Sequence, residues 1–320
     1  MRKRDEIKQV FEKFITALEE FQPERLAEIT TEDVKGHFSN VGETRGRSEL
    51  IQALTWRGMK MNVSRRQIVN FVVHTDGKRA QQSAYEMVLM GFDNGSFLFP
   101  FEYGGKYVNT YIETEDGWKI SEIRYDMDWE KGNTYFAKDW KFIDYKIYAG
   151  HRPMISSEYD SPWAAIPEND EELTDEEQIQ ETMFKYSFGL DNCDWTLHKD
   201  SYTDDIVFYA GDSIMESGAG NLINNFKNTS HKEPALEHAI RVVDIKVNGD
   251  EAVMTGYRIE PHRLGSKNLN RDTLHQNFYS ARYLNKWKKI DGKWKMYEIH
   301  YKAGVFFEIS REKRHYVDNI

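Results

Sequence analysis

The chain is poor in cysteine, has no excess of basic residues and lacks long apolar runs, and each lack excludes a class of protein. Its one cysteine, Cys193, cannot build an intramolecular disulfide framework or a cysteine-rich zinc site. The formal net charge of −10 disfavours nucleic-acid binding. No stretch approaches the roughly 18 apolar residues of a membrane span, and the charged start, Met1-Arg-Lys-Arg, does not resemble a signal peptide. We therefore expect a soluble, cytoplasmic protein that binds neither nucleic acid nor membrane.

Aromatic residues, in contrast, are abundant. The 320 residues include 18 Tyr, 18 Phe and 8 Trp. Tyrosine and tryptophan carry a polar group on an apolar ring, so they can line a pocket as well as fill a core. The length suits two domains of roughly 130–160 residues, each with a sizeable core.

The two halves of the chain share an internal repeat. In residues 106–125 and again in 282–301, a tyrosine is followed eleven positions later by a tryptophan, with Asp-Gly just before it and Glu-Ile-(Arg/His)-Tyr just after it. Each stretch is typical of a β-hairpin around a glycine-containing turn. The same comparison aligns residues 7–19 with 179–191, where apolar residues recur at helical spacing. Thr174-Asp-Glu-Glu177 predicts a capping box at the start of the second helix.

The order of predicted elements is the same in each half, with helices first and antiparallel hairpins after them. This order predicts an α+β fold in which alternate strand residues face the helices. The other predicted elements are short helices at 47–54 and 220–226 and strands at 68–74, 82–92, 206–210, 239–247 and 252–261. Between the halves, residues 156–173 hold Pro162, Pro167 and an acidic run, which predicts an exposed linker. The predicted domains are therefore 1–155 and 174–320.

Several short motifs in the second half carry, in their order and spacing, a resemblance to a known family. They are Tyr186, Leu190–Trp195, Tyr202–Val207, His238, Val247–Ala252 and Asp291–Trp294. With them the half resembles the SnoaL-like branch of the nuclear transport factor 2-like superfamily, whose domains are cones of helices wrapped by a strongly curved sheet. The resemblance implies two tandem cone-shaped α+β barrels. Paired subunits in this superfamily cover each other's sheets, so it also implies an intramolecular pseudo-dimer and leaves a further homo-oligomer open.

Within that superfamily the second half is functionally most similar to scytalone dehydratase and the bile acid 7α-dehydratases. The catalytic residues that the resemblance implies are Tyr186, Asp191, His238 and His262. The predicted substrate-binding residues are Tyr209, Tyr257, Trp195 and Phe208. One departure concerns substrate placement, because the asparagine that usually follows the histidine is absent and residues 241–244 read Arg-Val-Val-Asp.

These residue types suit acid–base chemistry without a cofactor. A histidine with an ordinary pKa of about 6.5 can accept a proton at neutral pH, whereas a tyrosine at about 10 stays protonated and donates a hydrogen bond. Our hypothesis is that His238 removes a proton next to a carbonyl, while Tyr186 and Tyr209 stabilise the enolate. Asp191 would orient His238, and His262 would protonate the leaving hydroxyl. The predicted function is a cofactor-independent dehydratase acting on a hydrophobic cyclic hydroxy-carbonyl compound.

Other functions stay open at this point. An isomerase or a cyclase needs the same proton removal, and a non-catalytic small-molecule-binding or interaction protein can use the same fold. The residues also have structural explanations, with Tyr186 as a core residue, Asp191 as a helix cap and His262 as an exposed loop residue. A metal site formed by His238, His262 and Asp191 matches no metal-binding spacing, so we predict no metal.

The first half differs from the second at the aligned positions. Phe14, Glu19, Arg66 and Met90 stand where the second half has Tyr186, Asp191, His238 and His262. We therefore expect the first domain to lack catalytic residues and to serve as a packing partner. Its aromatic residues could still line a pocket, and the candidates are Tyr103, Tyr107, Tyr111 and Trp118.

Overall fold

The computed structural model describes residues 1–58, 60–142, 153–229, 237–260 and 278–307. The chain divides into two compact units at Glu172–Leu173. Each unit has one six-stranded sheet with helices, and the strand order is the same in both sheets. The predicted α+β class and the tandem repeat are therefore confirmed. No helix in these ranges is long and apolar enough to cross a membrane.

The two units repeat one sequence of elements. The first contains α1 (Lys3–Glu19), a 3₁₀ turn (Pro23–Glu28), β1 (Thr30–Phe38), β2 (Gly42–Arg45), α2 (Arg47–Leu54), β3 (Val63–Thr75), β4 (Arg79–Asp93), β5 (Leu98–Thr114), β6 (Gly117–Gly132), a second 3₁₀ turn (Thr134–Ala137), α3 (Ser157–Asp160) and α4 (Pro162–Ala165). The second contains α5 (Asp175–Asp191), α6 (Trp195–Lys199), β7 (Tyr202–Ala210), β8 (Ser213–Ser217), α7 (Ala219–Thr229), β9 (Ile240–Asn248), β10 (Glu251–Glu260), β11 (Phe278–Ile290) and β12 (Lys293–Phe307). Every predicted helix and strand overlaps one of these elements.

The sheets are mixed, whereas the sequence predicted antiparallel hairpins alone. β1 pairs with β6 in parallel, and β7 pairs with β12 in the same way. Each sheet also has a β-bulge at the same place in the repeat. One extra residue lies in β3 opposite residues 83–85 of β4, and one lies in β9 opposite residues 255–256 of β10. Such bulges bend a strand, which helps each sheet to curl around its helices.

Two local signals act where the sequence predicted them. The Thr174 side chain accepts a hydrogen bond from the Glu177 backbone N–H, and the Glu177 carboxylate accepts one from the Thr174 backbone N–H, so the capping box is confirmed. Asp291 and Gly292 both have positive φ, 49° and 78°, as a two-residue hairpin turn between β11 and β12 requires. These signals set the start of α5 and the register of the last hairpin.

Alternation along the strands decides which side chains reach the interior of the second unit. On β10, Met254 and Arg258 are buried, whereas Val253 is exposed and Tyr257 is half-buried. Successive strand residues point to opposite faces, so the first two face the helices and the last two face away from them. Tyr186 on α5 belongs to the buried face of the helix.

The acidic segment between the halves packs on the first sheet. The carboxylate of Asp126, on β6, accepts a hydrogen bond from the backbone N–H of Met154 at 2.9 Å. Further along, the Nδ1 atom of His74, on β3, lies 2.7 Å from the backbone carbonyl oxygen of Ile166. Within residues 156–172, Gln81 donates to the backbone carbonyl oxygen of Asp160 at 2.6 Å, and Ser157, Ser161 and Ile166 are buried, so these parts of the predicted exposed linker lie against the first sheet.

The first sheet also holds a carboxyl group with a perturbed pKa. Glu102 on β5 faces Lys131 on β6, with their charged atoms 4.0 Å apart. Burial raises the pKa of the Glu102 carboxyl from 4.5 to about 7, although Lys131 lowers it. Between these two values the folded protein keeps a proton that the unfolded chain releases.

We expect this proton to make stability depend on pH. The stabilising effect of the raised pKa is complete below about pH 4.5 and is lost as pH rises through about 7, because ionisation in the folded state is unfavourable. Relative to a Glu102→Gln variant, the free energy of unfolding should fall by on the order of 1–3 kcal/mol over this window. Urea unfolding at several pH values measures the difference, with Glu115→Gln in an exposed turn as the control. Parallel pH profiles for the parent and Glu102→Gln would contradict the prediction.

Candidate functional site

Asp191 and His238 form a buried pair in the second unit. Asp191 is the last residue of α5, and His238 lies just before β9. The Nδ1 atom of His238 lies 2.5 Å from Oδ1 of Asp191, and the His238 backbone N–H donates to Oδ2 at 2.7 Å. The side chains are 5% and 0% exposed. An ionised carboxylate only accepts hydrogen bonds, so Nδ1 carries the proton and Nε2 carries the basic lone pair.

Tyr186, five residues before Asp191 on α5, also belongs to the interior of the second unit. Its side chain is buried on α5, and burial raises the pKa of its hydroxyl well above the ordinary value. The neighbouring Tyr283 hydroxyl and Asp191 carboxylate raise the pKa further, while Arg258 lowers it. The hydroxyl therefore stays protonated at neutral pH. The charges of Asp191 and Arg258 both act on its pKa.

The ring of Tyr186 rests on a second histidine that the sequence motifs do not include. His198 is fully buried, its Nδ1 lies 2.9 Å from the backbone carbonyl oxygen of Tyr186, and the two ring centroids are 4.4 Å apart. Gly189 permits this approach, because a Cβ atom there would lie 2.6 Å from the backbone nitrogen of His198. The contact joins α5 to α6 and fixes the tyrosine ring.

Arg258 brings a cation into the same interior and was missed by the sequence analysis. It is 6% exposed, and its Nε donates to the backbone carbonyl oxygen of Glu237 at 3.3 Å. The signal that could have identified it is alternation, since Arg258 lies four residues after Met254 on one strand and shares its face. An arginine on the inward face of a strand needs a polar neighbour or a function.

The predicted substrate-binding residues do not come together. Phe208 on β7 is buried, with its ring 6.0 Å from that of Phe226. Tyr209, its neighbour, points to the other face and stacks on His300 at 4.4 Å. Tyr257 also faces away from the interior, next to the inward Arg258. Phe208 therefore faces the interior of the second unit, whereas Tyr209 and Tyr257 lie on the opposite face of the sheet.

The last two predicted residues lie elsewhere. Trp195 on α6 lines an open surface groove, where the ammonium group of Lys227 lies 5.3 Å from its ring centroid. His262 lies outside the described residues. Its catalytic role therefore stays a prediction.

The first unit repeats the contact between helix end and strand start. The Arg66 backbone N–H donates to Oε2 of Glu19 at 3.2 Å, as the His238 backbone N–H does to Asp191. The arginine and the histidine thus occupy equivalent places in their cones. The side chain of Arg66, however, turns to other partners.

Arg66 forms a buried ion pair with Glu86 on β4. The Nη1 and Oε2 atoms are 2.7 Å apart, and the side chains are 7% and 1% exposed. Arg66 Nη2 donates to the hydroxyl of Tyr103 at 2.9 Å, and the Tyr107 hydroxyl donates to Oε1 of Glu86 at 3.1 Å. The Tyr125 hydroxyl lies near the same carboxylate without hydrogen-bond geometry. The first domain lacks the histidine, but its interior is polar.

The guanidinium group of Arg66 keeps its positive charge in this cluster. Burial alone would lower the pKa of Arg66, but Tyr103, Glu86 and Tyr107 raise it, and the net pKa lies well above its ordinary value. Burial likewise raises the pKa of Tyr103 and of Tyr107. Glu86 occupies the register position that Arg258 has in the second sheet. The two interiors therefore carry opposite charges at one position of the repeat.

The Arg66–Glu86 cluster faces a cavity of about 60 Å³. A second chamber of about 470 Å³ adjoins it, opens to solvent and shares Ala53, Trp56 and Trp140 with it. Of the aromatic residues predicted to line a pocket here, Tyr103 and Tyr107 do so. The other two, Tyr111 and Trp118, are buried in the core.

The chain is similar to several solved structures. A search of curated protein sequences gives no match. Among solved structures, the Kfla4162 protein from Kribbella flavida is 21% identical over 42% of this chain and 96% of its own, with a TM-score of 0.37. A scytalone dehydratase-like protein from Novosphingobium aromaticivorans is 15% identical over 40% and 85% of the two chains, with a TM-score of 0.35. The type 3 hexachlorocyclohexane dehydrochlorinase from Novosphingobium barchaimii is 15% identical over 41% of this chain and 89% of its own, with a TM-score of 0.35.

A sequence model of one family matches the chain twice. The matched residues are 1–124 and 171–300, which together are most of the chain and coincide with the two sheets and their helices. Both halves, including the one without the histidine, therefore belong to the SnoaL-like domain family.

Proposed function

We propose that the second domain is a cofactor-independent lyase that removes water from a hydrophobic cyclic hydroxy-carbonyl compound. The observation that carries this proposal is the Asp191–His238 pair, a buried carboxylate and imidazole held together by two hydrogen bonds. A histidine oriented in this way serves as a general base in many enzymes. Membership of a family with small-molecule-processing members agrees with a reaction of this kind.

The proposed reaction assigns each proton transfer to one of these groups. His238 Nε2 takes the proton from the carbon next to the substrate carbonyl, and Asp191 stabilises the imidazolium that forms. Tyr186 keeps its proton, because its pKa is raised, and donates a hydrogen bond to the enolate oxygen. The positive charge of Arg258 lies near enough to Tyr186 to favour negative charge on that oxygen.

Elimination is completed when the enolate re-forms the carbonyl. The electron pair then makes a carbon–carbon double bond and breaks the bond to the leaving hydroxyl, which takes up a proton and departs as water. The imidazolium group of His238 supplies that proton, or His262 supplies it, as the resemblance implies. Tyr209 has no part in this scheme, because it lies on the opposite face of the sheet.

Mass-spectrometric screening of cyclic β-hydroxy ketones for loss of water tests the proposal. We expect the parent to convert at least one compound, and Tyr186→Phe to lose about 10²–10³-fold in rate as one enolate donor disappears. Tyr209→Phe is the matched control, since this hydroxyl lies away from the interior, and it should retain the parent rate. Equal rates for all three proteins would refute the assigned chemistry. A product of unchanged mass that gains deuterium from D₂O would indicate an isomerase.

A further inference from the structure

The polar cluster of the first domain contains donors that the protein itself does not use. Arg66 directs its two terminal nitrogens to Glu86 and Tyr103. Its Nε is buried and has no hydrogen-bond partner among the described residues, and the same is true of the Tyr125 hydroxyl. Buried donors are rarely left unsatisfied, since desolvation without a hydrogen bond is unfavourable. Both residues line the 60 Å³ cavity, so an acceptor that entered it could satisfy them.

The backbone holds the Tyr125 hydroxyl in this place. Gly105 lies opposite Glu86 in the sheet, and a Cβ atom at Gly105 would come within 2.8 Å of the Tyr125 hydroxyl oxygen and 2.2 Å of the backbone oxygen of Asp126. A larger residue at this position would displace the tyrosine. The small residue therefore leaves room for the Tyr125 hydroxyl beside the Glu86 carboxylate.

The charge of the cluster selects against ions. Arg66 and Glu86 neutralise each other at 2.7 Å, so the cavity has no net charge to attract an ion. An anion would meet the Glu86 carboxylate at short range, and a cation would meet the guanidinium. The unused groups are donors, so the favoured ligand atom is a neutral acceptor such as a carbonyl oxygen.

The walls indicate the shape of the ligand. The inner cavity of about 60 Å³ has room for a carbonyl group but not for a large body. Trp56 and Trp140 stand between the inner cavity and the outer chamber, with ring centroids 6.1 Å apart. Flat rings pack well against such indoles, while the rest of the outer chamber is lined mostly by polar and charged side chains, among them Glu43, Glu49, Arg57 and Asp139.

We propose that the first domain binds an uncharged aromatic ketone, with its carbonyl oxygen accepting hydrogen bonds from Arg66 Nε and the Tyr125 hydroxyl. Its ring lies against Trp56 and Trp140 in the outer chamber. This site is separate from the His238 site and does not depend on the reaction proposed for the second domain. The first domain is then a ligand-binding domain rather than a packing partner alone.

Fluorine NMR titration of the full chain tests this proposal with three small probes. They are 4-fluoroacetophenone, which has the carbonyl, 1-ethyl-4-fluorobenzene, which lacks it, and 4-fluorobenzoate, which is an anion. We expect the ketone to bind roughly threefold to tenfold more tightly than the ethyl compound per hydrogen bond gained, and the benzoate to bind more weakly than the ketone. Equal affinity for ketone and ethyl compound, or tighter binding of benzoate, would overturn the assigned ligand class.

Variants locate the site. Tyr125→Phe removes one unused hydroxyl, so it should lower the preference for the ketone by roughly threefold to tenfold without lowering the melting temperature. Tyr111→Phe is the matched control, because that hydroxyl bonds Gln82 away from the cavity, and it should keep the preference. Ala53→Phe should block both chambers and abolish ketone binding. If His238→Ala removes the preference and Tyr125→Phe does not, the ketone binds in the second domain and the inference is wrong.

Discussion

Replacement of His238 by alanine should lower kcat for water elimination by about 10²–10⁴-fold, the usual contribution of a positioned general base. The loss should appear in kcat rather than in KM, because the imidazole acts on the substrate mainly in the transition state. Single-turnover measurements on the substrate found by screening would separate chemistry from binding. His300→Ala is the matched control, since His300 belongs to the same sheet but stacks on Tyr209 at its outer face and should retain the parent rate.

A loss of structure could imitate this result, because His238→Ala leaves the Asp191 carboxylate buried without its imidazole partner. His238→Asn addresses this, since an amide can donate to Asp191 but cannot take up a proton at neutral pH. The asparagine variant should keep the melting temperature closer to that of the parent while losing the same activity. If either folded variant keeps kcat within about threefold of the parent, the pair has a structural role and the general-base assignment fails.

The pairing of a helix-end carboxylate with a strand-start residue could be predicted, because both halves of the repeat carry it. The 172-residue offset that aligns the first helices also aligns Glu19 with Asp191 and Arg66 with His238, and both pairs make the same contact to a strand start. The capping box and the last hairpin followed from local sequence alone. Local signals and the internal repeat were thus enough to predict these features.

Errors arose where the face of a strand or a distant contact decides the outcome. Tyr209 was predicted as an enolate donor, yet a shift of one residue along β7 moves a side chain to the other face, and Phe208 is the one inside. Arg258 was missed, although strand alternation places it on the inner face. The parallel pairing of β1 with β6 joins segments far apart in the chain, and no local pattern signals it.

Residues 156–172 show that amino-acid composition alone does not predict whether a segment is exposed. Proline and acidic residues usually mark an exposed segment, and 156–172 has both. The segment nevertheless binds the first sheet, because the backbone carbonyl oxygens of Asp160 and Ile166 meet Gln81 and His74. The Asn169 side chain of the segment also accepts a hydrogen bond from the Thr75 backbone N–H at 3.1 Å, so side chains from both partners determine its position.

Replacement of Glu86 by alanine should destabilise the first domain by about 3–5 kcal/mol, the usual cost of leaving one member of a buried ion pair without its partner. Arg66 is 7% exposed and would keep its charge next to Tyr103 with no carboxylate to balance it. Hydrogen exchange measured by mass spectrometry over β3 to β6 reports on this domain alone, which matters because two domains need not unfold together.

The double variant Arg66→Met/Glu86→Gln decides whether charge is the cause. It removes both charges at similar volume, and the glutamine oxygen can still accept the Tyr107 hydrogen bond that Glu86 now receives. Because no buried charge remains, we expect most of the protection lost in Glu86→Ala to return. If the double variant is as unstable as the single one, packing around the cluster, and not the ion pair, holds β3 against β4. If the double variant is more stable than the parent, the ion pair destabilises the folded domain. That result is expected of a site that is kept for ligand binding rather than for folding.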